Sequence, residues 1–197
     1  ATAIVATAPV INAKKGEVAY SIANITLFGV SPETTDFDPA GASVTLGTNQ
    51  NTQVGYKAVY DLFGNYVSVD QLFEGNAIPE KFQKDNNDNI YVSGSFTSAL
   101  SSGANTIISN GSDDLFTMKF DNALNNQYIH QIGTSAFNEN DIQSNLDEVG
   151  NLNIMASIKG NVDVDPSGNT NYLSTNTGGY DFLMARYNSD GELMYSY

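Results

Sequence analysis

The sequence predicts an all-β protein made of three four-stranded antiparallel units of about 60 residues, which act as blades of a β-propeller. Three observations predict this fold class. A pair of segments recurs three times along the chain, each copy contains four strand-like stretches, and no long stretch carries the 3.6-residue apolar period of an amphipathic helix. Because propellers close with ~4–8 blades, three units predict a part of a larger ring or assembly.

The recurring pair consists of an apolar segment that begins with Asn and a later segment that ends in an aromatic residue. The first segment recurs after 65 and then 62 residues, as Asn24–Gly29, Asn89–Gly94 and Asn151–Ala156. The second segment ends at Tyr60, Phe120 and Tyr187, and each of these is followed by Asp or Asn. Stacked units of this period cannot bury their apolar faces alone, so we expect neighbouring units to cover one another.

Each unit divides into four predicted strands, and the loop between the second and third strands varies in length. The predicted strands are Val18–Ala23, Ile25–Val30, Tyr56–Tyr60 and Tyr66–Leu72, then Ile78–Gln83, Ile90–Phe96, Leu115–Phe120 and Gln127–Ile132, then Asp141–Leu146, Leu152–Ile158, Tyr180–Tyr187 and Leu193–Tyr197. Short edge strands are expected at Val44–Leu46, Thr106–Ile108 and Asn171–Leu173.

The predicted boundaries place one unit at about residues 16–75, one at 76–136 and one at 137–197. Residues 1–15 form an N-terminal strand or extension, in which Ile4–Ile11 could complete a blade or contact a neighbour. Asn, Asp and Gly punctuate the chain between strands, because these residues tolerate positive φ and bond to their own backbone.

The composition excludes several classes of function. A net charge of −14 repels phosphate backbones, so no nucleic-acid partner is expected. No apolar run approaches the ~20 residues of a membrane span. The chain has no cysteine, which removes disulfides, thiolate nucleophiles and zinc–thiolate sites.

Several spaced motifs resemble the bacterial β-propeller repeat often called SBBP. They are Asp88-Asn89-Ile90-Tyr91-Val92-Ser93-Gly94, the Asp-x-Asp-Pro segments at 36–39 and 163–166, and Gly178-Gly179-Tyr180-Asp181-Phe182 followed by Leu183-Met184-Ala185-Arg186-Tyr187-Asn188. The likeness covers about residues 17–197. It departs from that repeat where each unit ends, since Tyr128 and Tyr195 stand where the repeat has Trp.

The resemblance implies an exported bacterial protein, secreted or at the cell surface, without a shared enzymatic activity. We therefore expect a non-catalytic module that binds a protein or glycan partner or serves as a structural subunit. Other copies of the chain, or a continuation of it, are expected to cover the terminal units. The alternative is a glycan-active enzyme or the carbohydrate-binding part of one, because two-carboxylate chemistry needs neither His nor Cys.

The two Asp-x-Asp-Pro segments are the candidate metal sites. Asp36 and Asp38, and likewise Asp163 and Asp165, could bind calcium through paired carboxylates. The competing interpretation, which we favour, is that each pair shapes a tight loop through Asx turns. No other cofactor is expected.

The remaining polar and aromatic candidates favour structure over chemistry. His130 is the single histidine, so a site with two His ligands is excluded, and no Gly-x-Ser-x-Gly elbow surrounds a serine. Tyr56, Tyr91, Tyr172 and Tyr180 could stack on sugars, although aromatic residues on strands more often pack between sheets.

Overall fold

A computed structural model describes residues 16–20, 24–32, 34–47, 52–135, 137–176 and 178–197. Within these residues the protein is all-β with antiparallel sheets and contains no helix, which confirms the predicted fold class at this level. The segment 1–15, with its predicted strand Ile4–Ile11, lies outside the described residues.

The described residues contain fourteen strands. They are β1 (Gly16–Tyr20), β2 (Asn24–Pro32), β3 (Gln53–Asp61), β4 (Tyr66–Lys84), β5 (Ile90–Ser102), β6 (Asn105–Ile108), β7 (Asp114–Phe120), β8 (Asn126–Ile132), β9 (Asn140–Leu146), β10 (Leu152–Lys159), β11 (Asn161–Asp163), β12 (Tyr172–Ser174), β13 (Tyr180–Tyr187) and β14 (Leu193–Ser196).

Residues 21–23 of the predicted strand Val18–Ala23 lie outside the described residues. Elsewhere the strands match the predicted ones with three differences, of which one is the unpredicted short strand β11. Tyr66–Leu72 and Ile78–Gln83, predicted as separate strands, are joined in the long strand β4. The predicted edge strand Val44–Leu46 is wrong, because Val44 closes a loop instead: its N–H donates to Asp36 Oδ1 and its carbonyl accepts from Phe37 N–H. The other two edge strands are present as β6 and β12.

The chain divides into two compact units between Glu74 and Gly75, and β4 continues through the boundary. In the first unit, the strand order is β1-β2-β3-β4, with neighbours antiparallel. We call this sheet the first meander.

The second unit contains two further meanders. The second meander runs from the later part of β4 through β5 and β7 to β8, and β6 pairs with an extension of β5. The third meander has the order β9-β10-β13-β14, and β11 and β12 form a separate hairpin in its long loop.

All three meanders share the register of their two middle strands. Ile25 pairs with Tyr60, Ile90 with Phe120 and Leu152 with Tyr187. A register shift follows in every case at the step just before that aromatic residue, between Val59 and Tyr60, Lys119 and Phe120, and Arg186 and Tyr187. Asn24, Asn89 and Asn151 therefore stand one residue before equivalent pairs.

Among the described residues, one type of five-residue turn occurs five times. It begins at Asp61, Asp85, Asp121, Asp147 and Asn188. In each copy, a side-chain oxygen of the first residue accepts the N–H groups of the third and fifth residues. The fourth residue has positive φ, and besides glycine it is Asp88 (φ 62°) or Leu124 (φ 67°). This Asx geometry fixes the hairpins independently of the core.

The first unit has its own aromatic core. Phe37, Tyr56, Ala58 and Tyr60 are buried, and Phe37 contacts the Tyr56 ring edge-on at a centroid distance of 4.9 Å. Phe37 comes from the loop between β2 and β3, so this loop folds over the face of its own meander.

The core of the second unit lies between the second and third meanders. Leu115 and Ile132 of the second meander pack with Ile154, Leu183 and Ala185 of the third. A buried polar contact crosses the same boundary, where the Ser93 and Ser144 hydroxyls lie 2.6 Å apart. One face of each meander is thus covered by the other.

Candidate functional site

The two Asp-x-Asp-Pro loops have the same hydrogen-bond geometry. Asp36 Oδ1 accepts the N–H groups of Asp38 and Val44, both at 3.0 Å. Asp163 Oδ1 accepts the N–H groups of Asp165 at 3.1 Å and Asn171 at 2.9 Å. The bonds from Val44 and Asp38 lower the pKa of Asp36, so the carboxylate form is favoured where it closes the loop.

A tyrosine fastens each loop to its meander. The Tyr60 hydroxyl donates to Phe37 O at 2.9 Å, and the Tyr187 hydroxyl donates to Val164 O at 2.8 Å. Burial raises the pKa of Tyr60 to about 12, which keeps the phenol protonated and able to donate. The second meander has Phe120 at this position and lacks the Asp-x-Asp-Pro loop. The pairing of a Tyr with each loop is visible in the sequence, but the role of the two tyrosines was not predicted.

In the first unit, the Asp-x-Asp-Pro loop and the turn that begins at Asp61 line a pocket of about 460 Å³ that is open to solvent on one side. Its lining residues are Asp38, Pro39, Ala40, Gly41, Tyr60, Gly64, Asn65 and Tyr66. A Cβ built on Gly64 would have no atom within 4 Å, so the turn side of the pocket is open.

The same place in the third meander is filled by the second meander. His130 stacks on Tyr128 with ring centroids 4.3 Å apart, and its ring lies 5.7 Å from the Tyr187 ring. A Cβ built on Gly191 would lie only 2.7 Å from His130 Cε1 and 2.8 Å from Tyr128 Cδ1. Gly191 is therefore required by the close approach of this pair as well as by its φ of 87°.

His130 is held neutral in this contact. Burial lowers its pKa to about 4, and the negative charge of Asp165 acts weakly in the opposite direction. A neutral, packed imidazole fits the structural role expected of the single histidine, since a general base works best with a pKa near the operating pH.

Two hydrogen bonds link strands of the second meander to turns of the third around this contact. Lys119 Nζ donates to Ser189 O at 2.6 Å, and the Lys119 ammonium lies 5.3 Å from the centroid of the Tyr91 ring. The Tyr91 hydroxyl donates to Gly150 O at 3.2 Å. A cation, a phenol and two backbone carbonyls thus align the second and third meanders.

The calcium candidates Asp36, Asp38, Asp163 and Asp165 lie in two separate loops. Across the part of the chain that the structure describes, no group of three or more His, Cys, Asp or Glu side chains gathers at one place. The carboxylates of Asp36 and Asp163 already bond to backbone N–H groups, and these bonds are sufficient to close each loop.

Two acidic side chains that sequence reasoning did not single out are fully buried. Asp114 Oδ2 accepts from Asn110 N–H and from the Gln131 amide, and Glu139 accepts the N–H and hydroxyl of Thr134. Burial raises the pKa of both carboxyl groups. A raised pKa suits a general acid, but neither side chain has a surface that a substrate could reach.

Of the four tyrosines considered for sugar stacking, two are buried and two are exposed. Tyr56 and Tyr91 are buried and pack within the sheets, whereas Tyr172 and Tyr180 are exposed on the third meander. Only the second pair could present a ring to a ligand.

No protein-family model matches the chain, and no curated protein matches it. Among the described residues, no helix is long and apolar enough to cross a membrane.

The first prediction tests the contact at Gly191. Gly191→Ala should destabilise the protein by roughly 2–4 kcal/mol, from left-handed backbone strain together with overlap against His130 and Tyr128. The matched control Gly64→Ala has nearly the same φ but open space around Cβ, and should cost only about 1 kcal/mol. Urea unfolding measures both variants, and equal losses would contradict the close packing at Gly191.

The second prediction concerns pH. Because the pKa of His130 is 6.5 in the unfolded chain and about 4 when folded, the unfolded chain binds the proton first as pH falls. The stability of the neutral form is complete above pH 6.5 and is lost progressively as pH falls to about 4. His130→Phe, which keeps a packed ring, should flatten this part of the stability curve by roughly 3 kcal/mol at about 1.4 kcal/mol per pKa unit. Stability curves for the two proteins that run parallel would contradict the buried neutral histidine.

The third prediction separates loop architecture from calcium binding. Since Asp163 closes its loop through backbone N–H groups, a chelator should leave the melting temperature unchanged. A chelator-induced fall in melting temperature that Asp165→Ala abolishes would show instead that the loop binds a cation.

Proposed function

We propose that the chain is a non-catalytic β-propeller module of a secreted or cell-surface bacterial protein, where it binds a protein or glycan partner or serves as a structural subunit. Two features support the propeller assignment: the shared register of three four-stranded meanders, and the packing of the second meander on the third. The resemblance to the SBBP repeat supports the proposed location and the absence of a common chemistry.

The observation that carries the non-catalytic assignment is the use of polar side chains inside the fold. Asp36 and Asp163 close loops, Tyr60 and Tyr187 fasten them, and His130 packs between meanders. These are the residue types from which acid–base catalysis is usually built, and here each has a structural partner. Variable loops on a rigid sheet scaffold remain as the surface for binding.

A glycan partner has one specific observation in its favour. The open pocket of the first unit is lined by Tyr66, Asp38 and Asn65, which is the mixture of ring, carboxylate and amide groups that binds small polar ligands. If a soluble oligosaccharide binds there, Tyr66→Ala should remove binding and Tyr172→Ala, at an exposed tyrosine outside the pocket, should not.

The enzyme alternative is tested by hydrolysis of a panel of aryl glycosides and polysaccharides. We expect no release of reducing sugar above that of the heat-denatured chain, because Asp114 and Glu139 are shielded from substrate. Hydrolysis that Asp114→Asn abolishes would overturn the non-catalytic proposal. Asp181→Asn is the control, since Asp181 stands at the matching position of the third meander but is exposed.

A further inference from the structure

The third meander carries an exposed apolar face on its last three strands. Met155 pairs with Met184, Met184 exchanges backbone hydrogen bonds with Tyr197, and Arg186 pairs with Tyr195. This pairing places five exposed side chains on one side of the sheet, namely Met155, Phe182, Met184, Tyr195 and Tyr197. We call this set the outer face.

The matching face of the second meander is covered. By the shared register, the outer face corresponds to Ser93, Leu115, Thr117, Tyr128 and His130. Ser93, Leu115, Tyr128 and His130 contact the third meander, and Thr117 is fully buried. Leu115 is 0% exposed where Phe182 is 62% exposed, and Tyr128 is 9% exposed where Tyr195 is 41% exposed. The outer face of the third meander is thus the equivalent of the surface by which the second meander docks on the third, but its apolar side chains are exposed to water.

The receiving side of this contact is also present twice. In the third meander, Tyr187 and Gly191 pack against His130, Gly191 also lies against Tyr128, and Asp165 follows the Val164 carbonyl to which the Tyr187 hydroxyl donates. In the first meander, the corresponding residues Asp38, Tyr60 and Gly64 line the open pocket. We call these two places the third socket and the first socket.

We propose that a second copy of this chain docks head-to-tail, with Tyr195 and Tyr197 of one copy entering the first socket of the next as Tyr128 and His130 enter the third socket. This inference rests on the proposed function, because it specifies the partner of a non-catalytic structural subunit. A second copy is the favoured occupant because the outer face and the first socket, which no other described residues cover, are the two halves of a contact already made between the second and third meanders.

The side chains around the first socket suit this occupant. Leu62 and Phe63, in the turn beside Gly64, are exposed large apolar residues that the outer face would cover. The ring of Tyr197, which is 72% exposed, corresponds by register to the ring of His130 in the internal contact. Its hydroxyl is a donor that matches Asp38, the equivalent carboxylate of the first socket.

Lys119, the cation in the contact between the second and third meanders, has an equivalent residue beside the outer face. Lys119 donates to Ser189 O across the meander boundary, and the equivalent residues are Arg186 and Leu62. Arg186 lies on the same side of the sheet as the outer face, where it pairs with the Asp147 carboxylate and donates to Asn153 Oδ1 at 3.2 Å. A guanidinium has five N–H donors, so the donors not used by Asp147 and Asn153 are those offered to the Leu62 carbonyl of the neighbouring copy. Because the two surfaces differ, contacts of this type join copies in one direction and generate rings or open chains.

Sedimentation velocity of the full 197-residue chain over a wide concentration series tests the proposal. The wild type should form species larger than one chain as concentration rises. The double variant Tyr195→Ser/Tyr197→Ser should weaken this association about tenfold or more. Met155→Glu, on a different strand of the outer face, should do the same and provides a second variant if the first is misfolded. Tyr172→Ser, at an exposed tyrosine outside the outer face, is the matched control.

The first socket is tested by Gly64→Asp, which places a side chain where the third socket has none. Asp88 occupies the equivalent turn position with φ 62°, so the backbone accepts this residue. Gly103→Asp is the matched control, since Gly103 also has positive φ and open space around Cβ. Gly64→Asp should reduce association as strongly as the tyrosine variant, and Gly103→Asp should leave it unchanged.

Mixing the two defective proteins gives the decisive result. Each retains one intact half of the contact, so an equimolar mixture of the Tyr195/Tyr197 variant and Gly64→Asp should form complexes of two chains that grow no further. A wild type that stays monomeric throughout, or a mixture that stays monomeric while the wild type associates, would overturn the proposal. Oligosaccharide binding lost in Gly64→Asp without a change in mass would assign the pocket to a glycan instead.

The test is separate from that of the proposed function. Hydrolysis of glycosides would overturn the non-catalytic assignment whatever the mass of the particle. Conversely, a monomeric chain without hydrolytic activity would overturn the head-to-tail contact and leave the non-catalytic assignment intact.

Discussion

A four-stranded β-sheet has two faces, and in the third meander both faces carry apolar side chains, whose exposure to water is unfavourable. In β13, Leu183 and Ala185 are fully buried, whereas Phe182 and Met184, which alternate with them, are exposed. Alternation along a strand would ordinarily place polar residues at the second pair of positions. Packing against the second meander buries one of these faces, including the third socket, and leaves the outer face exposed.

The shared backbone lets different side chains solve the same packing problem. Ser93 lies in the covered face of the second meander, where its hydroxyl finds Ser144 across the boundary. Asp114 is buried because Asn110 and Gln131 donate to it, while the residue at the matching position of the third meander remains exposed. The repeated element is therefore the register of the strands and the geometry of the turns, and the residues within it vary with what covers them.

Most strands could be predicted from the sequence because their signals are local, and the sockets could not. The Asx turn that starts at Asp85 needs no tertiary contact to form. Val44 shows the limit of such reasoning, because the Asp36 carboxylate, eight residues away, captures its N–H group and closes a loop in place of the expected strand. The sockets depend on which residues face one another across separate strands. Gly191 resembles any other turn glycine until His130 is seen to pack against it.

The contact between the second and third meanders indicates how much stronger a contact between two copies of the chain must be. Between the second and third meanders, the two partners are held together by the chain, so even a weak contact is favoured by a high effective concentration. Between copies, the same geometry must also overcome the loss of translational and rotational freedom. The side chains on the outer face are larger than those of the covered face, with Phe182 for Leu115 and Met155 for Ser93. They bury more apolar area when covered, which is the direction of change that association between separate chains demands.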